Sequence, residues 1–216
     1  TFNNSSAIEN IINRVTGGNI SNIDGLIKAT GNANLFLINP AGIVFGENAR
    51  LDIGGSFLGT TAESILFEDG FNYSAIDSEQ TPLLTVSVPL GLQMGTNPGD
   101  IIVQGNGHGL NTINTVSALG TRDTTSGLRV NAGNTLALIG GNLTLDGGIV
   151  SADDGNIALG AVANQTGNPV QVNLNNVNTS WTLDYSQIEE FQEINLTKRA
   201  LVDASGVSSG SIQIQG

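Results

Sequence analysis

The chain has 216 residues and a formal net charge of −12, from 19 acids against 7 Lys and Arg, so it carries no basic stripe and is a poor partner for nucleic acid or anionic membrane. Cysteine is absent, which rules out disulfides, iron–sulfur clusters and zinc ribbons and is compatible with export in an unfolded state. Glycine (29) and asparagine (26) make up a quarter of the sequence, and 39% is apolar, a balance of many corners and enough apolar spacing to pack a core.

The chain opens at Thr1-Phe2-Asn3-Asn4 without Met and closes on a strand-like Ser211-Ile212-Gln213-Ile214-Gln215, so both ends read as cuts through a longer protein. Residues 5–17 support two readings. Ser6-Ala7-Ile8-Glu9 fits a helix capping box, with Ile8, Ile11, Ile12 and Val15 at helical spacing before Gly17-Gly18. The Asn-rich flanks and the β-branched run fit a strand equally well. From Asn34 onward three short apolar runs, 35–38, 43–45 and 51–53, lie between Asn, Pro and Gly corners. Such runs are too short for a helix and long enough for strands. Asn39-Pro40-Ala41-Gly42 is a tight turn, because Pro fixes φ, Gly accepts positive φ and Asn bonds the backbone ahead of it. Strand, corner, strand is how a chain winds into a solenoid.

Residues 60–67 form a further strand ending at Asp69-Gly70, and 71–82 read as a polar loop or side excursion. Leu83-Leu84-Thr85-Val86-Ser87-Val88 alternates, and Pro89, lacking an N–H, is expected to stop that ladder. Residues 91–94 and 101–104 are strand candidates on either side of the turn Asn97-Pro98-Gly99-Asp100, and 105–127 read as a loop. Short runs between Gly-bearing corners over 128–160 give the clearest solenoid signature. The segment from Ile149-Val150-Ser151-Ala152-Asp153 to Asn156-Ile157-Ala158-Leu159 is echoed by Leu201-Val202-Asp203-Ala204-Ser205 to Ser211-Ile212-Gln213-Ile214, as expected of coils that share geometry. Between the echoes, 184–191 fits a short helix capped by Asp184 with Ile188 and Phe191 on one face, and Trp181 and Tyr185 are placed over an edge of the core.

Asn39-Pro40-Ala41-Gly42-Ile43 resembles the Asn-Pro-Asn-Gly-Ile motif of two-partner secretion (TPS) domains, the N-terminal domains of filamentous-haemagglutinin-like exoproteins. Flanking segments carry the same resemblance: Asn10 to Gly18, Gly55-Ser56-Phe57 and Phe67-Glu68-Asp69-Gly70, with Phe45-Gly46 most like the cyanobacterial branch. Asn19-Ile20-Ser21-Asn22-Ile23 falls where many members carry Asn-Pro-x-x-Leu; here Ile20 replaces the Pro and Ile23 the Leu. The resemblance selects the strand reading for residues 10–15. It implies one right-handed parallel β-helix over 1–216 with loop and side-strand excursions, whose upstream N-terminal cap lies outside the sequence. It also implies recognition by the periplasmic POTRA domains of an outer-membrane β-barrel transporter, passage through the periplasm and outer membrane of a Gram-negative-type bacterium, and folding as a secreted or surface exoprotein, here expected to be monomeric. The candidate recognition residues are Asn39, Pro40, Ala41, Gly42 and Ile43, with Asn19 and Ile23 secondary.

No catalytic constellation competes with this reading. His108, the only histidine, sits in a Gly-rich turn without a nucleophile motif beside it. Acid pairs at Glu68/Asp69, Asp153/Asp154 and Glu189/Glu190 point to opposite faces if they lie on strands. A polysaccharide lyase, which shares the β-helix, needs clustered acids for Ca²⁺ and a basic proton acceptor, and seven scattered cations make it a weak candidate. No enzyme activity, metal or cofactor is therefore expected. The alternative to secretion is an adhesin module that binds carbohydrate or cells directly, the class suggested by the family's haemagglutination label.

Overall fold

The computed structural model describes residues 1–77, 89–110, 126–162, 181–208 and 210–216, together with the backbone of 169–174. Its strands follow one another in coils. The first coil holds β1 (Asn10–Arg14), β2 (Ser21–Ile23) and β3 (Leu26–Lys28); the second holds β4 (Asn34–Ile38), β5 (Ile43–Phe45) and β6 (Arg50–Asp52). The third starts with β7 (Phe57–Thr60), leaves through β8 (Ser64–Phe67), β9 (Asn72–Ser74) and β10 (Pro89–Gln93), and returns in β11 (Ile101–Gln104) and β12 (Leu128–Val130). The fourth is β13 (Thr135–Gly140), β14 (Leu143–Asp146) and β15 (Ile149–Ala152). The fifth runs from β16 (Asn156–Ala161) through a second excursion, β17 (Pro169–Leu174) and β18 (Trp181–Asp184), to β19 (Ile194–Thr197) and β20 (Leu201–Asp203). Strand β21 (Ser211–Gln215) then lies on β16.

Outside the two excursions each strand pairs in parallel with an equivalent one coil away, which makes a parallel β-helix. The first face is the six-stranded sheet β1-β4-β7-β13-β16-β21, and the second is β2-β5-β11-β14-β19. The third carries β3-β6 and β12-β15-β20. The internal echo is a register: Ile149 lies opposite Leu201 and Val150 opposite Val202, while Ile157 lies opposite Ile212 and Leu159 opposite Ile214. The competing readings of residues 10–15 resolve in favour of a strand, because β1 aligns Ile11 with Leu35 and Ile12 with Phe36.

Alternation along the first face feeds two cores. Leu35, Leu37, Phe57, Leu136, Leu138, Ile157 and Leu159 point into the helix, where Ile43, Phe45, Ile101, Val103, Leu143 and Leu145 of the second face meet them. Their sequence neighbours Phe36, Ile38, Leu58, Ala137 and Ile139 point outward and are still buried, against Ile65, Leu92, Trp181 and Leu183 of the antiparallel sheet β18-β17-β10-β8-β9. A sheet covered on both sides reads as continuous apolar runs, as in Leu35-Phe36-Leu37-Ile38. Each such side chain contributes roughly 1.5–3 kcal/mol of burial free energy.

A polar column runs up the corner that precedes the first face. Asn34 donates from Nδ2 to Asn10 Oδ1 at 2.9 Å and accepts on Oδ1 from the Ser56 N–H at 2.9 Å. Ser56 Oγ accepts from the Thr135 N–H at 2.9 Å, and Thr135 Oγ1 accepts from the Trp181 N–H at 2.9 Å, which ties the second excursion to the coil. Asn156 follows in register beside Thr135, and Ser211 donates its hydroxyl to Asn156.

Two expectations are corrected. Residues 184–191 form no helix: Asp184 Oδ1 accepts the Ser186 N–H at 2.9 Å, Ile188 closes one turn on Tyr185, and Phe191 bridges antiparallel to Val162. So short a helix would bear the cost of nucleation, and pairing with Val162 and burial in the second core favour the non-helical path. The stretch read as a loop or side excursion after residue 70 is part of an excursion, where β9 pairs antiparallel with β8. Pro89 is itself a ladder residue of β10, paired with Phe67 at a register shift between Pro89 and Gly91. The strand expected over 83–88 lies outside the described residues, as does most of the loop expected over 105–127.

Candidate functional site

Asn39 follows β4 at the corner between the first and second faces, and its side chain points inward with 0% exposure. Burial of an amide costs stability unless its hydrogen bonds are met, and here they are. Nδ2 donates to the Asn19 carbonyl at 2.9 Å and to Ser21 Oγ at 2.8 Å, while Oδ1 accepts the Ala41 N–H at 3.0 Å. The Gly42 N–H donates to the Asn39 carbonyl at 3.1 Å and closes the β-turn. Pro40 occupies the second position of that turn, where its fixed φ is pre-set.

Gly42 has φ of +123°, and a Cβ there would approach the Asp100 carbonyl oxygen at 3.2 Å. The position therefore favours glycine for both backbone and space. Its carbonyl accepts the Ser21 N–H at 3.0 Å. Ile43 is fully buried and stands in a column with Ile101 and Leu143. Ile23 is half-buried and pairs with Phe45.

The structure thus brings the two sequence motifs together, but by a different atom than the sequence suggests. Asn19 contributes its backbone carbonyl; its side-chain amide is exposed and donates to the Gly17 carbonyl at 3.1 Å. Ser21 was not among the expected residues, and a hydroxyl inside an Asn-Ile-Ser-Asn run carries no distinguishing signal. Of the five motif residues, Asn39, Gly42 and Ile43 are buried, and only Pro40 and Ala41 reach the surface.

The neighbouring corner, between the second and third faces, is polar and open. Asp24 Oδ1 accepts the Asn48 N–H at 2.8 Å and Oδ2 accepts the Asn48 side-chain amide at 3.1 Å. These two bonds, with a smaller contribution from Arg50, hold the Asp24 carboxyl below the usual carboxylate range. His108 is half-buried in the turn after β11, where its N–H donates to the Arg199 carbonyl at 2.9 Å and its Nδ1 accepts the Leu110 N–H at 3.3 Å. Both bonds shape the turn.

Coil, double core and sealed asparagine corner define a β-helical solenoid module whose organising residues act from the inside. The TPS secretion domain family matches residues 1–214, and the chain belongs to that family. It is the secretion domain of a two-partner secreted exoprotein. A heme/hemopexin-binding protein of Haemophilus influenzae is 40% identical over 58 residues, which are 27% of this chain and 6% of that protein. The matched stretch is thus a small part of the length of that relative. No solved structure matches the chain.

Proposed function

We propose that this chain is one monomeric, non-catalytic domain of a longer exoprotein. In this reading the POTRA domains of a dedicated outer-membrane β-barrel transporter recognise it in the periplasm. The chain is then threaded outward, and the domain folds at the cell surface and seeds the coils that follow it. One observation carries the reading: the side-chain bonds of Asn39 go to Asn19, Ser21 and Ala41. The corner therefore closes with two coils in place and offers the next strand an ordered edge to copy, because β-helix stability is a sum over neighbouring coils.

Direct adhesion to carbohydrate has less support. Of the seven Phe, two Tyr and one Trp side chains, Phe36, Phe45, Phe57, Trp181 and Tyr185 are buried and the other five are half-buried, which leaves little flat apolar ring surface on which a sugar could stack.

Replacing Asn39 and Pro40 together, and measuring both secretion and refolding of the purified domain, tests the role of the motif. Loss of secretion with intact refolding assigns it to recognition, and loss of both assigns it to nucleation. Normal secretion of the double variant would sink the recognition role.

A further inference from the structure

Of the 26 asparagines, only Asn106 is followed by glycine. That pair has a chemistry of its own. The backbone nitrogen of the next residue can attack the asparagine side-chain amide carbon, and glycine hinders the approach least because it has no Cβ. The new N–Cγ bond closes a succinimide and expels the side-chain nitrogen as ammonia, which carries off the attacking nitrogen's proton. Water then opens the ring at either carbonyl. Opening at Cγ leaves aspartate. Opening at the backbone carbonyl leaves isoaspartate, whose main chain runs through Cβ and Cγ and is longer by a methylene.

Residues 105–108 form the corner that follows β11, at the polar edge between the second and third faces. Asn106 is exposed, so water reaches its amide. The Gly107 nitrogen is engaged: its N–H donates to the Gly147 carbonyl at 2.9 Å. On either side, the Gly105 N–H donates to the Asp146 carbonyl at 3.0 Å and the His108 N–H to the Arg199 carbonyl at 2.9 Å. The fit is tight. A Cβ on Gly107, whose φ is +77°, would come within 2.6 Å of the Lys198 carbonyl oxygen, and one on Gly105 within 2.4 Å of the Gly147 carbonyl oxygen. A nitrogen whose proton is held by a carbonyl, in a peptide plane fixed on both sides, cannot turn onto Asn106 Cγ. All three acceptors belong to the fourth and fifth coils, so the restraint exists only once those coils are in place.

We propose that Asn106-Gly107 is a self-modification site, open in the unfolded chain and shut by folding. The isoaspartyl product does not fit back into the corner. Its extra methylene displaces Gly107 and His108 from the carbonyls of Gly147 and Arg199, where neighbouring backbone leaves no room. Modification before folding therefore marks the chain for good, as one whose third coil does not close on the fourth and fifth. On the secretion reading above, the marked chains are those held unfolded longest before they reach the surface.

The test uses the secreted exoprotein in mildly alkaline buffer, incubated either folded or unfolded in urea. Peptide mapping by mass spectrometry reads amide-to-acid conversion at position 106, and an isoaspartyl methyltransferase labels the isoaspartate. The unfolded chain should convert at Asn106, and the folded one about tenfold more slowly or less, because reaction waits on local opening of the corner. The urea-incubated chains are then refolded and briefly exposed to protease, with a sample passed quickly through urea as reference. The resistant fraction should be depleted in isoaspartate about tenfold. Asn106→Gln keeps an exposed amide but would have to close a larger ring, so it should show no conversion there and refold as the reference does. Equal rates in folded and unfolded protein, or no conversion in the unfolded chain, overturn the proposal. Isoaspartate retained in full by the resistant fraction overturns the block to refolding. Urea sets the state of the chain in each arm, so neither result depends on the route of export.

Discussion

Asn39→Ala isolates the contribution of the sealed corner. The substitution removes two donated bonds and one accepted bond at a fully buried position. Asn19 is exposed and Ser21 half-buried, so water can replace the lost donors and each acceptor loses only the net value of its bond, about 1 kcal/mol. The Ala41 N–H is half-buried and loses its acceptor, adding roughly 1–2 kcal/mol. The sum is roughly 3–4 kcal/mol, or about a 150- to 1,000-fold rise in local opening. Hydrogen exchange on the purified chain reads this directly. Protection should fall by that factor at the Ser21 amide, which donates to Gly42, and at the Asn39 amide, which donates to Thr60. It should hardly change at the Leu138 and Leu159 amides, because those strands lie in the fourth and fifth coils and solenoid contacts run between neighbours. A loss of protection spread evenly over all coils, or none at Ser21, would refute the account of Asn39 as a local clasp.

Two further outcomes follow from titratable groups. The Tyr185 hydroxyl is buried and meets no hydrogen-bond partner among the described residues, and burial pushes its phenol far above the ordinary range. Tyr185→Phe should therefore raise stability in urea by roughly 1 kcal/mol. The folded phenol stays neutral while the unfolded one ionises, so wild-type stability is complete below about pH 10 and falls above it; the Phe variant should lack this component. On the acid side, Asp24 is held below its usual value by Asn48, Asp146 by Lys198 and Thr197, and Asp184 by Ser186. Depressed carboxyls contribute stability that is present above the unfolded value near 4 and is lost as pH falls through the folded values. Urea midpoints should thus be level at neutral pH and decline below about pH 4, with a shallower decline in a variant carrying Asp24→Ala and Asp146→Ala.

Strands were legible wherever an inward column demanded apolar residues between corners. Leu35-Phe36-Leu37-Ile38, Ile43-Val44-Phe45 and the echoed coils at 149–159 and 201–214 are all where the pattern puts them. The uninterrupted run in β4 also signals burial on both faces, but nothing in it says that β10 and β18 supply the cover. Residues 184–191 misled because Ile188 and Phe191, three apart, fit one helix face as well as two contacts with the same outer core. At the site, Asn39 was legible as a turn former. Its bond to the Asn19 carbonyl was not, because a backbone acceptor leaves no mark on residue type. Asn97-Pro98 read as an ordinary turn because an excursion separates it from Asn39-Pro40 and hides that the two are stacked, with the Gly99 N–H donating to the Pro40 carbonyl at 3.0 Å. The column Asn10, Asn34, Ser56, Thr135, Asn156, Ser211 changes residue type along its length, so no repeat in the sequence reveals it.

That column also has a mechanical meaning. Its rungs are 24 residues apart between Asn10 and Asn34 and 22 between Asn34 and Ser56. Drawn out, a span of that size is about 75 Å of chain, whereas one coil lengthens the stack by only about 4.8 Å. A coil without an excursion therefore reels in about fifteen times the length it adds when it snaps shut. Tension on the chain would have to undo an entire rung of bonds before recovering any of it, so a force-extension trace should show discrete steps, about 70 Å for these coils and longer for the coils that carry an excursion, rather than a smooth yield.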